Sequence, residues 1–113
     1  MHHVINGLKN SFSGIKVTYQ EEKSFRIDIL IALLETVILI FWDIEVISKV
    51  VLFITIFLII IVEIINTAIE NTIDYISMNH HTLAKKAKDA GSAAVFITIV
   101  MNIICFIVIF IMN

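Results

Sequence analysis

Three apolar runs, each about as long as a lipid bilayer is thick, constrain this chain more than any other feature. They cover residues 26–42, 45–77 and 90–112, and no proline interrupts any of them. Crossing hydrocarbon takes about 20 residues of helix, because a helix satisfies its own backbone where no water can. Composition agrees: 59% of the 113 residues are hydrophobic and 16% charged, with a mean hydropathy of +1.00. The class implied is an all-α integral membrane protein. A net charge of −2 gives no sign of nucleic-acid binding.

The runs differ in purity. The first is interrupted by Asp28 and Glu35, and the third carries no charge at all. The second is longer than a bilayer needs, so about three turns of it should project into water over the segment ending at 77. A loop is expected over 78–88 before the third span begins. Ahead of the spans, Val4, Leu8, Phe12, Ile15 and Tyr19 recur at helical spacing opposite Asn6, Lys9, Asn10, Ser13 and Lys16. That period predicts an amphipathic helix over 3–21, lying in the membrane interface or packed on its own protein. The opening Met1-His2-His3 lacks the pattern of a cleavable signal, so the first span is expected to remain as an anchor. Cys105 lies inside an apolar run, and as the only cysteine it has no intrachain partner.

Orientation follows from the basic residues. Lys9, Lys16, Lys23 and Arg26 must share a side with Lys85, Lys86 and Lys88, since two spans separate the groups. The connection at 43–49 holds Asp43, Glu45 and a single lysine. The N-terminus is therefore expected in the cytoplasm and the C-terminus outside.

Near the end of the second run, Glu63, Asn66, Glu70 and Asp74 follow at spacings of 3, 4 and 4. A helix turns about 100° per residue, so these four form one polar stripe. Glu63 falls just within the hydrocarbon edge, with Glu70 and Asp74 about 10 and 17 Å further toward water. Glu22, Lys88, Asp89 and Ser92 fall at the same level. Hard carboxylate oxygens at Glu22, Glu70 and Asp74 suit Mg²⁺, Lys88 suits a phosphate, and Glu63, half desolvated by lipid, suits a general base. A metal, a cation and a base are what phosphoryl transfer requires. A rival reading is a small oligomeric pore or transporter subunit, but a pore would string its polar groups along the membrane rather than gather them at one depth. Glu35, about 13 Å into the first span, is expected to be protonated and hydrogen-bonded across helices to Thr98, the rival reading being a functional proton site as in small transporters. No Gly-rich phosphate loop is present.

Glu63-Ile-Ile-Asn66-Thr-Ala68-Ile-Glu70-x3-Asp74, then His81-x-Leu83 and Ala87-Lys88-Asp89-Ala-Gly91-Ser92-Ala93-Ala94-Val95, resembles the prokaryotic diacylglycerol kinase family. Gly14-Ile15-Lys16 and Glu22-Lys23-Ser24-Phe25-Arg26 resemble that family's surface-helix end and entry to its first span. The resemblance implies a homotrimeric bundle in the bacterial inner (cytoplasmic) membrane, each subunit an amphipathic surface helix plus three transmembrane helices. It implies transfer of the γ-phosphate of MgATP to the hydroxyl of 1,2-diacylglycerol, with Mg²⁺ accompanying ATP, in phospholipid metabolism. By matching position, Glu63 would be the catalytic base, and Glu22 and Glu70 would bind the metal and nucleotide. His81, Lys88 and Asp89 would also contact ATP. Phe25, Arg26, Glu63 and Ser92 would face the lipid, with Asn66 and Asp74 in support.

Two departures stand out. His3 and Asn10 occupy positions where members often carry a basic and an aromatic residue near the nucleotide, and Asn79-His80 replaces an acidic-aromatic pair. Leu83-Ala84-Lys85-Lys86-Ala87-Lys88-Asp89 and Ser13-Gly14-Ile15-Lys16 also resemble the undecaprenol kinases of the same superfamily, whereas Gly91-Ser92 favours diacylglycerol.

Overall fold

A computed structural model of the chain describes residues 1–76, 79 and 81–113. Among these the fold is all-helical, with four helices and no strand: α1 (His2–Glu21), α2 (Lys23–Phe41), α3 (Val46–Ile76) and α4 (Thr82–Met112). Two of them, α3 and α4, are long and apolar enough to cross a membrane. At 31 residues, α3 extends about 47 Å, well beyond a hydrocarbon core of about 30 Å. The shorter α2 carries Arg26, Asp28 and Glu35 within its 19 residues.

A single residue separates α1 from α2. Glu22 alone is extended between α1 and α2, at φ −108° and ψ 109°. Its N–H still bonds Thr18 O at 2.9 Å, and its carbonyl accepts from Arg26 N at 3.2 Å. Arg26 Nη1 reaches back to the carbonyls of Tyr19 and Gln20, at 2.8 and 3.0 Å, and so caps the end of α1. Helix α4 begins at Thr82, within the segment 78–88 expected as loop. His81 makes this start by capping: its Nδ1 accepts from Leu83 N at 3.0 Å. Charged Lys85, Lys86 and Lys88 mark a solvated helical face, not an irregular segment. Ser77, Met78 and His80 lie outside the described residues.

The apolar stripe of α1 stays uncovered, with Val4 66%, Leu8 56% and Phe12 71% exposed. A face of that kind fits a lipid interface better than packing on its own protein. Helix α4 likewise turns Phe96, Ile97, Ile104, Ile107 and Phe110 outward. An exterior this apolar belongs in lipid.

Inside, Leu39, Leu52 and Ile56 form the buried cluster, with Ala32, Trp42, Cys105 and Phe106 against it. Trp42 stacks on Phe106 with centroids 6.2 Å apart, tying the end of α2 to α4. Deeper polar groups fasten the same helices. Asn102, 4% exposed, donates from Nδ2 to Thr55 Oγ1 at 3.0 Å and also bonds the Glu35 carboxyl. The partner of Glu35 is thus Asn102, one turn along α4 from Thr98, whose hydroxyl bonds Val95 O of its own helix. Interhelical bonds to an amide in a membrane bundle contribute about 1–2 kcal/mol, so Asn102→Leu should lower stability by that amount in a denaturation titration. Glu35→Gln retains donor and acceptor, and turnover and assembly are expected to stay near wild type; loss of turnover in assembled protein would give Glu35 a chemical role.

Candidate functional site

The polar stripe of α3 exists as read, and each member has a definite neighbour. Glu63 is buried, 6% exposed, and Ser24 Oγ of α2 donates to its Oε1 at 3.0 Å. Asp28, four residues after Ser24 on the same face of α2, brings its carboxyl against Glu63 within hydrogen-bonding reach. Its Oδ2 is buried and has no hydrogen-bond partner.

One turn on, Asn66 is 7% exposed and its Nδ2 donates to Glu70 Oε1 at 3.0 Å. Asn66 Oδ1 is buried without a partner. Next, Asp74 Oδ1 meets Lys88 Nζ of α4 at 2.6 Å, and both side chains are about two-fifths exposed. Lys85 pairs with Asp89 at 2.6 Å in an exposed i,i+4 contact. The stripe therefore faces α2 at Glu63 and α4 at Asp74, with Glu70 between these contacts.

Other expected site residues fall in different surroundings. Phe25 was expected to face a lipid substrate, but at 1% exposure it is packed among the chain's own helices. Arg26 spends its guanidinium on the carbonyls of α1. His81 holds the start of α4 through Nδ1. Ser92 is exposed on α4, and Glu22 is half-buried at the joint between α1 and α2. The replacement at 79–80 falls partly outside the described residues, because His80 is not among them. His3 and Asn10 are both exposed on α1.

Sequence reading missed Ser24 and Asp28 as partners of Glu63. Asp28 was legible only as an interruption of the first span. Its spacing of four from Ser24 was the available signal for a shared polar face.

Among the described residues no three His, Cys, Asp or Glu side chains converge to hold a metal. Mg²⁺ asks for less, commonly one or two carboxylates, and completes its shell with water and phosphate oxygens. Glu70, held by Asn66 through one carboxylate oxygen, and the half-buried Glu22 supply hard oxygen donors that fit it.

Fold and site together define a helical membrane protein with a buried carboxyl, Glu63, a half-buried one, Asp28, set against it, and an adjoining acidic and basic cluster at one end of its helices. Residues 9–110 match the family model for prokaryotic diacylglycerol kinase. The chain is 38% identical over 101 residues to the diacylglycerol kinase of Escherichia coli strain K12, covering 89% of this chain and 83% of that one. It is 32% identical to the enzyme of Haemophilus influenzae, covering 86% and 82%. The Pseudomonas aeruginosa enzyme is 30% identical, covering 88% and 80%. The chain belongs to the prokaryotic diacylglycerol kinase family.

Proposed function

We propose that this protein phosphorylates 1,2-diacylglycerol to phosphatidate with ATP, at the cytoplasmic face of the bacterial inner membrane. Family membership and the uniform naming of its relatives support the reading. The single observation that carries the chemistry is Glu63: a carboxyl buried beside lipid, fixed by Ser24 and set against Asp28. A base so held needs no reorientation when a lipid hydroxyl arrives.

In this mechanism the hydroxyl oxygen attacks the γ-phosphorus of ATP as the bond to the β,γ-bridging oxygen breaks. Glu63 takes the hydroxyl proton, and ADP departs. Asp28 packs against Glu63 from α2 and holds its carboxyl in place. Lys88 leaves Asp74, or shares it, to meet the phosphates, with Asp89 and His81 contacting the nucleotide. When bound with ATP by Glu22 and Glu70, Mg²⁺ supplies neutralisation of the charge on the phosphates. Ser92 and Arg26 border the path of the lipid, and Asn66 supports Glu70.

The assembly that goes with this function is a homotrimer in which α2 is the third span, the N-terminus is cytoplasmic and the C-terminus lies outside. The basic residues along α1 and in the opening turns of α2 and α4 support that orientation. A third span is supported by the length of α2, about 28 Å.

The test is direct. Purified protein in mixed micelles with Mg²⁺ and γ-labelled ATP is expected to label diacylglycerol, with undecaprenol as the comparison acceptor. Folded protein that labels neither lipid would reject the kinase reading.

A further inference from the structure

Gly91 lies in the interior of α4, where glycine is less favourable than alanine. Its backbone does not need the freedom glycine provides, since no glycine among the described residues has a positive φ. Space is the reason. A Cβ built on Gly91 would collide with Asn66 Oδ1, and would lie 3.2 Å from Asn66 Cγ and 3.7 Å from Ile69 Cδ1. The Asn66 amide thus fills the volume that a side chain at 91 would take.

That amide is fixed at both ends. Its nitrogen donates to Glu70 Oε1, and its buried oxygen, with no hydrogen-bond partner, is directed at the bare α4 backbone. Reversing the amide would set its oxygen against the Glu70 carboxylate, so the bond to Glu70 selects the orientation. Three residues before Gly91, on a neighbouring part of the same helical surface, Lys88 pairs with Asp74. Glu70 is therefore bracketed on α3 between two interhelical contacts: Asn66 against Gly91, and Asp74 against Lys88. The approach of α4 at Gly91 sets where Glu70 stands relative to the helix that carries Lys88 and Asp89.

We propose that Gly91 is a positioning residue for the Glu70 carboxylate, its missing side chain being the space that seats Asn66 and thereby aims Glu70 at the metal–nucleotide site. This rests on the reading of Glu70 as a ligand of the metal that accompanies ATP. Gly91 touches neither metal nor substrate and acts through Asn66. A glycine serving only close helix packing, as small residues do in membrane bundles, would affect stability without selecting the metal.

The experiment uses the full chain in micelles, with Mn²⁺ binding followed by electron paramagnetic resonance in the presence of a non-hydrolysable ATP analogue. Gly91→Ala is expected to weaken Mn²⁺ binding about tenfold, the scale seen when a ligand loses its supporting partner. Half-saturating Mg²⁺ for turnover should rise in parallel, with KM for diacylglycerol unchanged. Asn66→Ala should weaken Mn²⁺ similarly, and adding Gly91→Ala to it should cost nothing more, because the collision is gone. In that background alanine should raise the thermal midpoint.

Mn²⁺ affinity unchanged in Gly91→Ala, or weakened equally with and without the Asn66 side chain, overturns the proposal. Should Gly91→Ala fail to assemble, the pair Asn66→Ala and Asn66→Ala/Gly91→Ala carries the test: equal affinities support it, and a further loss overturns it. Wild-type protein that binds no Mn²⁺ with the nucleotide and labels no lipid would instead overturn the kinase reading on which this stands.

Discussion

Glu63→Gln is expected to lower turnover by about 10²–10⁴-fold, the range for loss of a general base. Glutamine matches glutamate in size and can accept the Ser24 hydroxyl through its amide oxygen, so the buried site should remain filled. It cannot take a proton from an attacking hydroxyl. The change should therefore appear in kcat, while a non-hydrolysable ATP analogue with Mg²⁺ binds as it does to wild type, because Glu70, further along the stripe, and Lys88 of α4 keep their own partners. Single-turnover lipid labelling and analogue binding separate the two effects. Substantial residual turnover would remove Glu63 from the role of base and turn attention to Asp28, the other carboxyl in the same contact.

Phe25→Ala is expected to lower stability by about 3–5 kcal/mol, the range for truncating a fully buried aromatic. Phe25 is 1% exposed, one of the two largest side chains wholly enclosed among the described residues. It stands next to Ser24, so the loss should also loosen the hydroxyl that holds Glu63. Phe25→Leu keeps most of the volume and should cost less than about 1.5 kcal/mol. Denaturation titrations in micelles measure both. Kinetics of Phe25→Leu then discriminate between the two readings of this residue: a packing role leaves KM for diacylglycerol unchanged, whereas a lipid-contact role raises it.

The residues that were legible in the sequence are those whose meaning is local. Apolar length disclosed α3 and α4, and a spacing of 3, 4 and 4 disclosed the stripe from Glu63 to Asp74. The exposed stripe of α1 was equally plain in the period of its apolar residues. What escaped depends on which helix faces which. Ser24 and Glu63 are 39 positions apart, and nothing in either segment announces the other. Glu35 was given a partner at the right side of α4 but one turn short, since depth counting cannot resolve a single turn and Thr98 and Asn102 share a face. Charge density over 85–88 suggested a loop, although a solvated helical face carries the same charges, and the capping bond of His81 depends on side-chain geometry. Arg26 and Phe25 show the limit of positional analogy: matching position says which residue stands there, and only packing says what it touches.

Glu22 has a mechanical consequence. It is the one extended residue between an amphipathic helix whose apolar stripe is uncovered and a helix packed into the bundle, and Arg26 clasps the amphipathic side through two carbonyls. A joint of that construction is an elbow: α1 changes its pitch only by turning the backbone that carries the Glu22 carboxylate. Lateral pressure in the lipid beneath α1 and the aim of that carboxylate are then a single coordinate.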